Sequence, residues 1–597
     1  MVETLCDLYF HILENFRRDV FMLHKKDGAY EPISTEAFGD SIRQFSLGLT
    51  SLGVKQGDRI VILAESSPWW VMSELSIACA GGTAVPIHSV LTPEQIKYII
   101  NDSEAGIVVF SDREMWRKLS SIQSKIPQVR HFITFEEKGW DEVLSFSDVR
   151  EKGRALDNEQ PEIFELTARS ASPGTLASIL YTSGTTGVPK GAMLTHNNFI
   201  SNTIGASEII KVLPTETGLS FLPLSHTLEH IGMLAYLYNG CTIAFAESME
   251  TLLENLKEIR PHLMISAPRI FEKIYAGVIN RVLSGPALRR KIFFWSLAVG
   301  KKYGGNKIRG RRQPLGLSLK RGLAHRLVFR KIIDLTGGRV RLFISGGAPL
   351  SKDIAEFFYA LGFTILEGYG LTETSPVITL NALGKMKFGT VGHPIPGVEV
   401  KIAPDGEILT RGPHVMKGYF KMEEETKEAF EGEWFKTGDI GHIDEEGYVV
   451  ITDRKKDIIV TSSGKNIAPQ QIENLLKTNA YIDGAVVIGD KRKFISALIV
   501  PNFEKLEEYA REHNITYGAW TDLVKKKRIV DFLMQEIEMT CADLARYEKI
   551  KKIVVLDREF EIDEGEITPT LKVKRNIIAR KYSAIIDDLY TEDIPGT

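Results

Sequence analysis

A chain of 597 residues is too long to bury around one compact core, so two or more domains are expected. With 43% hydrophobic residues, 25% charged residues and a net charge of −3, it reads as globular and lacks the basic excess of a dedicated nucleic-acid binder. Cys6, Cys79, Cys241 and Cys541 lie far apart with no metal-ligand spacing, which points to free thiols in a reducing, cytoplasmic setting. The opening Met1-Val-Glu-Thr-Leu-Cys-Asp7 has no basic stretch of the kind that begins a secretory signal. No apolar run approaches the roughly 18 residues that a membrane-crossing helix requires.

In chain order, Phe38, Ile42, Phe45, Leu49 and Leu52 recur at helical spacing, which predicts a helix over 35–52 that Gly53 stops. Residues 59–64 and 83–87 read as buried strands. Thr92, Pro93 and Glu94 supply a cap, a first-turn proline and an early acid for a second helix, and 106–110 form another strand. A short strand over 177–181 precedes a loop of glycines and hydroxyls, and a further strand over 340–344 precedes a helix after Ser351. This alternation predicts an α/β fold of parallel sheets covered by helices. Residues 281–331 carry many Lys and Arg and no Asp or Glu. Within a helix expected over 320–335, Leu323, Leu327, Val328, Ile332 and Leu335 form one face, with Arg321, Arg326, Arg330 and Lys331 mainly off it. From about residue 452 the chain becomes charge-dense with short strands at 484–488 and 497–500, and a hinge is placed at Asp453-Arg-Lys-Lys-Asp457.

The chemistry concentrates in five segments. Tyr181-Thr-Ser-Gly-Thr-Thr-Gly-Val-Pro-Lys-Gly191 has glycines that admit close backbone approach to an anion. It adds the Thr182, Ser183, Thr185 and Thr186 hydroxyls and the Lys190 charge, while Pro189 stands where a Walker loop needs its second glycine. Ser345-Gly-Gly-Ala-Pro-Leu350 turns from a strand into a helix. In Glu367-Gly-Tyr-Gly-Leu-Thr-Glu373, Tyr369 can stack on a purine, Thr372 can donate to phosphate and Glu373 can hold magnesium. Asp439, in Thr437-Gly-Asp439, suits two ribose hydroxyls, and Arg454 can reach the same sugar. Thr568-Pro-Thr-Leu-Lys572 puts a lysine on a turn near the C-terminus.

In this order the loop at 181–191, Tyr369-Gly-Leu-Thr-Glu373, Thr437-Gly-Asp439, Asp453-Arg454 and the terminal Lys572 resemble the core motifs of the adenylate-forming superfamily, which includes acyl-CoA synthetases, peptide-synthetase adenylation domains and luciferases. Leu222-Pro-Leu-Ser-His226, Ala267-Pro-Arg-Ile-Phe-Glu-Lys273, Trp295-Ser-Leu-Ala-Val-Gly300 and the Lys572 segment are most similar to long-chain fatty acyl-CoA synthetases. The resemblance implies a large N-terminal domain over 1–452 with parallel-rich sheets and a β-barrel-like subdomain, the hinge at 453–457, and a small mobile α+β domain over 458–597. It implies ATP, Mg2+ and coenzyme A, with formation of an acyl-adenylate followed by a thioester. The nucleotide would be held by Thr182, Ser183, Gly184, Thr185, Thr186, Lys190, Gly347, Glu367, Gly368, Tyr369, Thr372, Asp439 and Arg454. The metal would be held by Thr185 and Glu373. Lys572 would contact the carboxylate and α-phosphate, His226 would wall the acyl-adenylate pocket, Gly464 would line the pantetheine tunnel and Lys456 would be the hinge residue.

Alternatives are a carrier-protein thiol as acceptor, a medium-chain or aryl acid as substrate, or a regulatory protein that binds nucleotide without turnover. His226-Thr-Leu-Glu-His230 also matches a zinc-peptidase pattern, which needs a third ligand downstream and is disfavoured because Pro223 interrupts the helix start and so short a motif arises by chance in a chain this long. His230 falls near the position of a tryptophan that gates the acyl tunnel in some relatives. The basic, apolar segment 281–331 suggests peripheral contact with an anionic membrane face.

Overall fold

The computed structural model describes residues 1–182, 189–462, 465–561, 564–567 and 573–591. Local signals set the first elements. Ser34 accepts the Ala37 N–H and starts helix Thr35–Ser51, which buries Phe38, Ile42 and Phe45. Thr92 and Gln95 form a reciprocal capping box ahead of helix Pro93–Ser103.

Unbroken apolar strands then assemble two large sheets. One has eight strands in the order Gly418–Tyr419, Lys190–Thr195, Leu176–Thr182, Thr83–Ile87, Arg59–Leu63, Ile107–Phe110, His131–Thr134 and Val143–Ser145. Its pairings from Leu176–Thr182 onward are parallel. The other has nine strands, with a parallel centre of Thr364–Gly370, Leu342–Ser345, Leu263–Ser266, Thr217–Ser220, Thr242–Phe245 and Met22–Lys26. Both faces of such sheets must be covered, and helices cover them. A smaller antiparallel sheet consists of Glu399–Ile402, Glu407–Arg411, Trp434–Ile443, Phe430–Glu431 and Val449–Arg454.

The smaller C-terminal domain is built on Ile482–Ile488, Ser496–Pro501 and Lys552–Val555. Its hydrophobic cluster, including Ile472, Val487, Ile499, Leu506 and Leu533, is separate from that of the large sheets. The fold is therefore mixed α/β with a large N-terminal and a smaller C-terminal domain.

The basic segment differs from expectation in its phase. It forms helices Ala287–Ile308 and Leu315–Ala324, followed by a π-helical turn at His325–Phe329. Leu317 and Ala324, before the wider turn, and Phe329, at its end, are buried against the core. Leu323 and Leu335, expected on the buried face, are exposed. Arg321, expected outside, turns inward: its guanidinium lies 4.3 Å from the Phe329 ring centroid and donates to the Leu361 carbonyl at 3.2 Å. Helix Ala287–Ile308 approaches helix Lys352–Leu361 through Gly300, where a Cβ would lie 2.5 Å from the Ala360 carbonyl oxygen. What remains outside is a leucine at each helical turn, with Leu315 85%, Leu319 76%, Leu323 51% and Leu327 42% exposed. Among the described residues no helix is long and apolar enough to cross a membrane.

Candidate active site

Parallel strands release their loops on one edge of a sheet, where ligands of open α/β folds bind. Ser345 pairs in register with Ser266 on one side and Glu367 on the other. Beyond Ser345 the chain turns through Gly346 and Gly347, the latter at φ +80°, and a Cβ on Gly347 would lie 3.9 Å from His226 Cε1. A Cβ on Gly346 would lie 3.6 Å from the Gly368 carbonyl oxygen. His226, Gly347 and Gly368 are thus brought to one place. His226 caps helix Thr227–Tyr238 by accepting the Leu228 N–H on Nδ1 at 3.2 Å, so a neutral ring carries its proton on Nε2. His88, not singled out from sequence, stands beside it with ring centroids 6.2 Å apart. Its Nδ1 lies 2.7 Å from Ser225 Oγ, and burial pulls its imidazole down to about 4. The available signal was its place directly after the buried strand Thr83–Ile87.

Glu367 projects from strand Thr364–Gly370 into a buried position, and burial pushes its carboxyl up to about 8 against the pull of the Leu350 N–H. Tyr369, on the same strand, does more than present a ring: its hydroxyl donates to Asp439 Oδ2 at 2.7 Å. Asp439 and Arg454 are register partners across the small antiparallel sheet, with Arg454 Nε 3.0 Å from Asp439 Oδ1. Asp439 holds the guanidinium above its ordinary value. This network joins the nine-stranded sheet to the small one. Lys456 follows in an exposed turn.

Thr182 and Lys190 face each other across paired strands, with the Thr182 hydroxyl 3.5 Å from the Lys190 carbonyl oxygen. Thr372 opens a short 3-10 turn that carries Glu373. The Tyr419 hydroxyl donates to Glu373 Oε1 at 2.9 Å, and Lys190 Nζ sits 5.1 Å from the Tyr419 ring centroid. Burial first, then Glu373, raises the Tyr419 phenol above its ordinary value, so it stays a donor. Ser183, Gly184, Thr185, Thr186, Gly464 and Lys572 lie outside the described residues. Strands Ile459–Val460 and Asn466–Ile467, which flank Gly464 in sequence, pair antiparallel, and Ile567 bridges to Val573 on either side of the Lys572 segment.

The two histidines of the zinc-like pattern face different partners. His230 Nε2 lies 2.8 Å from Glu74 Oε1 in the core, with Trp70 and Phe199 against its ring. His226 instead faces His88 and Gly347. Both histidines do belong to one helix start, so the two side chains are separated by direction and not by Pro223.

Comparison with known proteins defines the class. Residues 14–420 match the model of the AMP-binding enzyme family, and 456–593 match that of the AMP-binding enzyme C-terminal domain. The chain belongs to the AMP-binding enzyme family. It is 35% identical to a long-chain-fatty-acid–CoA ligase of Mycobacterium tuberculosis over 95% of this chain and 94% of that one. It is 30% identical to the peroxisomal long chain acyl-CoA synthetase 7 of Arabidopsis thaliana, over 99% and 87% of the respective chains. In fold it resembles an anthranilate CoA ligase crystallised with anthranoyl-AMP, with a TM-score of 0.75 at 19% identity over 98% of each chain.

Glu229, fully buried on the His226 helix, yields a stability prediction. Burial pushes its carboxyl from 4.5 up to about 8, opposed by the Ser220 hydroxyl. A raised folded-state value leaves stability intact below the unfolded value and erodes it as pH climbs toward the folded one. Glu229→Gln should therefore melt higher than the parent near neutral pH, by the equivalent of about 3 kcal/mol, with the gain vanishing below about pH 4.5. Thermal unfolding across pH checks the slope.

Proposed function

We propose that this chain is an AMP-forming long-chain fatty acid–CoA ligase. The observation that carries the reading is similarity along nearly the whole chain to long-chain-fatty-acid–CoA ligases, with the Tyr369–Asp439–Arg454 network beside His226 and Gly347. A fatty carboxylate oxygen attacks the α-phosphorus of ATP, pyrophosphate leaves, and an acyl-adenylate forms. The coenzyme A thiolate then attacks the acyl carbonyl, and AMP leaves with the bonding electron pair. Most of the catalytic work in the first step is alignment and charge neutralisation.

Asp439 accepts the ribose hydroxyls, and Arg454 holds its carboxylate in place. Tyr369 offers its ring to the purine. The hydroxyl loop after Thr182, with Lys190 and Thr372, neutralises the phosphates, and Glu367, Gly347 and Gly368 shape the wall around them. His226 lines the pocket near the acyl carbonyl. A half-buried carboxylate suits a hard cation, so Glu373, with Thr185, would hold Mg2+, which supplies charge neutralisation at the departing pyrophosphate.

Lys572 brings its ammonium to the carboxylate and α-phosphate in the first step. The domains divide at 453–457, with Lys456 as the hinge and 458–597 rotating so that the Gly464 segment lines the coenzyme A path in the second. The separate hydrophobic clusters of the two domains favour such a rotation. The exposed leucines of 315–327, set among lysines and arginines, suit shallow insertion into an anionic bilayer surface, where long-chain acids reside.

Pyrophosphate release is expected with long-chain acids, and the preformed acyl-AMP should pass to coenzyme A in preference to a holo-carrier protein. Turnover by no acid, or transfer to the carrier alone, would overturn the assignment. Lys572→Ala should slow adenylation by about a hundred- to a thousandfold, as for other lost transition-state donors. A parental adenylation rate in that variant removes the lysine from the mechanism. In flotation assays the protein should rise with anionic vesicles at low salt, and Leu315→Ser/Leu319→Ser should stay behind; a parent that does not float rejects the membrane contact.

A further inference from the structure

Tyr419 belongs to none of the motifs read from the sequence, yet it touches both charged residues of the phosphate end. Its placement is over-determined. Gly418 and Tyr419 pair with Met193 and Ala192 in the strand that Lys190 opens. On either side, Phe420 N–H donates to the Gly191 carbonyl at 2.8 Å and Lys417 N–H to the Met193 carbonyl at 2.9 Å. One residue earlier, Met416 N–H donates to the carbonyl of Glu373 itself at 2.8 Å. The Tyr419 N–H is held by Thr426 Oγ1 at 2.9 Å, and Gly418, at φ +145°, admits that contact because a Cβ would lie 2.8 Å from Thr426 Cγ2. The segment is thus stitched to the Glu373 turn and to the Lys190 strand at once.

The side chain uses this fixed position in two ways. Its hydroxyl donates to Glu373, and its ring face receives the Lys190 ammonium. Lysine and carboxylate are each bound to the phenol and not to each other. A direct ion pair would cancel the charges that a metal and a triphosphate need, and would have to be broken before they could bind.

We propose that Tyr419 is a positioning residue that holds Glu373 for a divalent cation and keeps Lys190 apart from it for phosphate. The inference rests on the metal role of Glu373 given above. Donors that orient a metal-binding carboxylate typically govern about 10- to 100-fold in metal affinity.

The test is calorimetric binding of a non-hydrolysable ATP analogue to the full chain, titrated with and without Mg2+ and without fatty acid. Tyr419→Phe keeps the ring and should raise the Mg2+ concentration for half-maximal binding about tenfold while leaving metal-free binding unchanged. Tyr419→Leu, which lets Lys190 and Glu373 pair, should weaken metal-free binding as well. Thermal melts of the unliganded variants check the fold. A Mg2+ dependence in Tyr419→Phe within about twofold of the parent overturns the inference, as does an equal loss with and without metal. Glu373→Gln separates the two levels. If it too leaves the Mg2+ dependence untouched, the metal role of Glu373 falls; if it shifts that dependence and Tyr419→Phe does not, only the role of Tyr419 falls.

Discussion

The in-register pairing of Ser345 with Ser266 and Glu367 decides where three loops leave the nine-stranded sheet. Parallel strands cannot be joined by tight hairpins, so their exits gather along one edge, the Ser266 and Ser345 strands each giving way to a helix and Thr364–Gly370 to the antiparallel strand Val377–Leu380. The double-glycine turn after Ser345, the Glu367–Gly370 strand end and the His226 cap meet there for that reason. Slipping the Thr364–Gly370 strand by one residue would exchange the faces of Glu367 and Gly368 and dissolve the grouping. Chemistry at this edge is therefore a property of strand register before it is a property of any side chain.

A second theme is the use of phenols to hold carboxylates. Tyr369 donates to Asp439 and Tyr419 to Glu373, and burial keeps both hydroxyls protonated. At Glu373 the neutral donor orients the carboxylate without cancelling its charge, whereas a lysine in the same place would neutralise it; at Asp439 the phenol adds to the Arg454 ion pair. The two phenols also bridge different parts of the molecule: Tyr369 ties the large sheet to the small antiparallel one, and Tyr419 ties the eight-stranded sheet to the Glu373 turn. Site geometry and the packing of separate sheets against each other share the same hydrogen bonds.

What the sequence discloses follows the range of the interaction involved. The strand near 59–64 and the helix after Thr92 are legible because apolar continuity and capping chemistry are local. The motif residues His226, Gly347, Gly368, Tyr369, Asp439 and Arg454 are nameable from their order; the grouping of the first four follows from the parallel topology, and Asp439 and Arg454 meet through antiparallel register. His88 and Tyr419 are not nameable, because their meaning lies in partners 137 and 46 positions away. The face of the 320–335 helix was misphased because helical periodicity assumes a uniform turn, and the π turn at His325–Phe329 breaks that assumption. Arg321, which precedes that turn, is drawn inward by its own partners, the Phe329 ring and the Leu361 carbonyl.

The glycine contact between helix Ala287–Ile308 and helix Lys352–Leu361 has an evolutionary reading. With Gly300 against the Ala360 carbonyl and Phe293, Leu317, Ala324 and Phe329 buried, the attachment of the helical pair rests on its inner face and hardly on what the outer surface displays. Selection can then rewrite the outward leucines and basic residues without disturbing the sheet edge where the chemistry sits. The outward surface is in this sense a replaceable part of the fold.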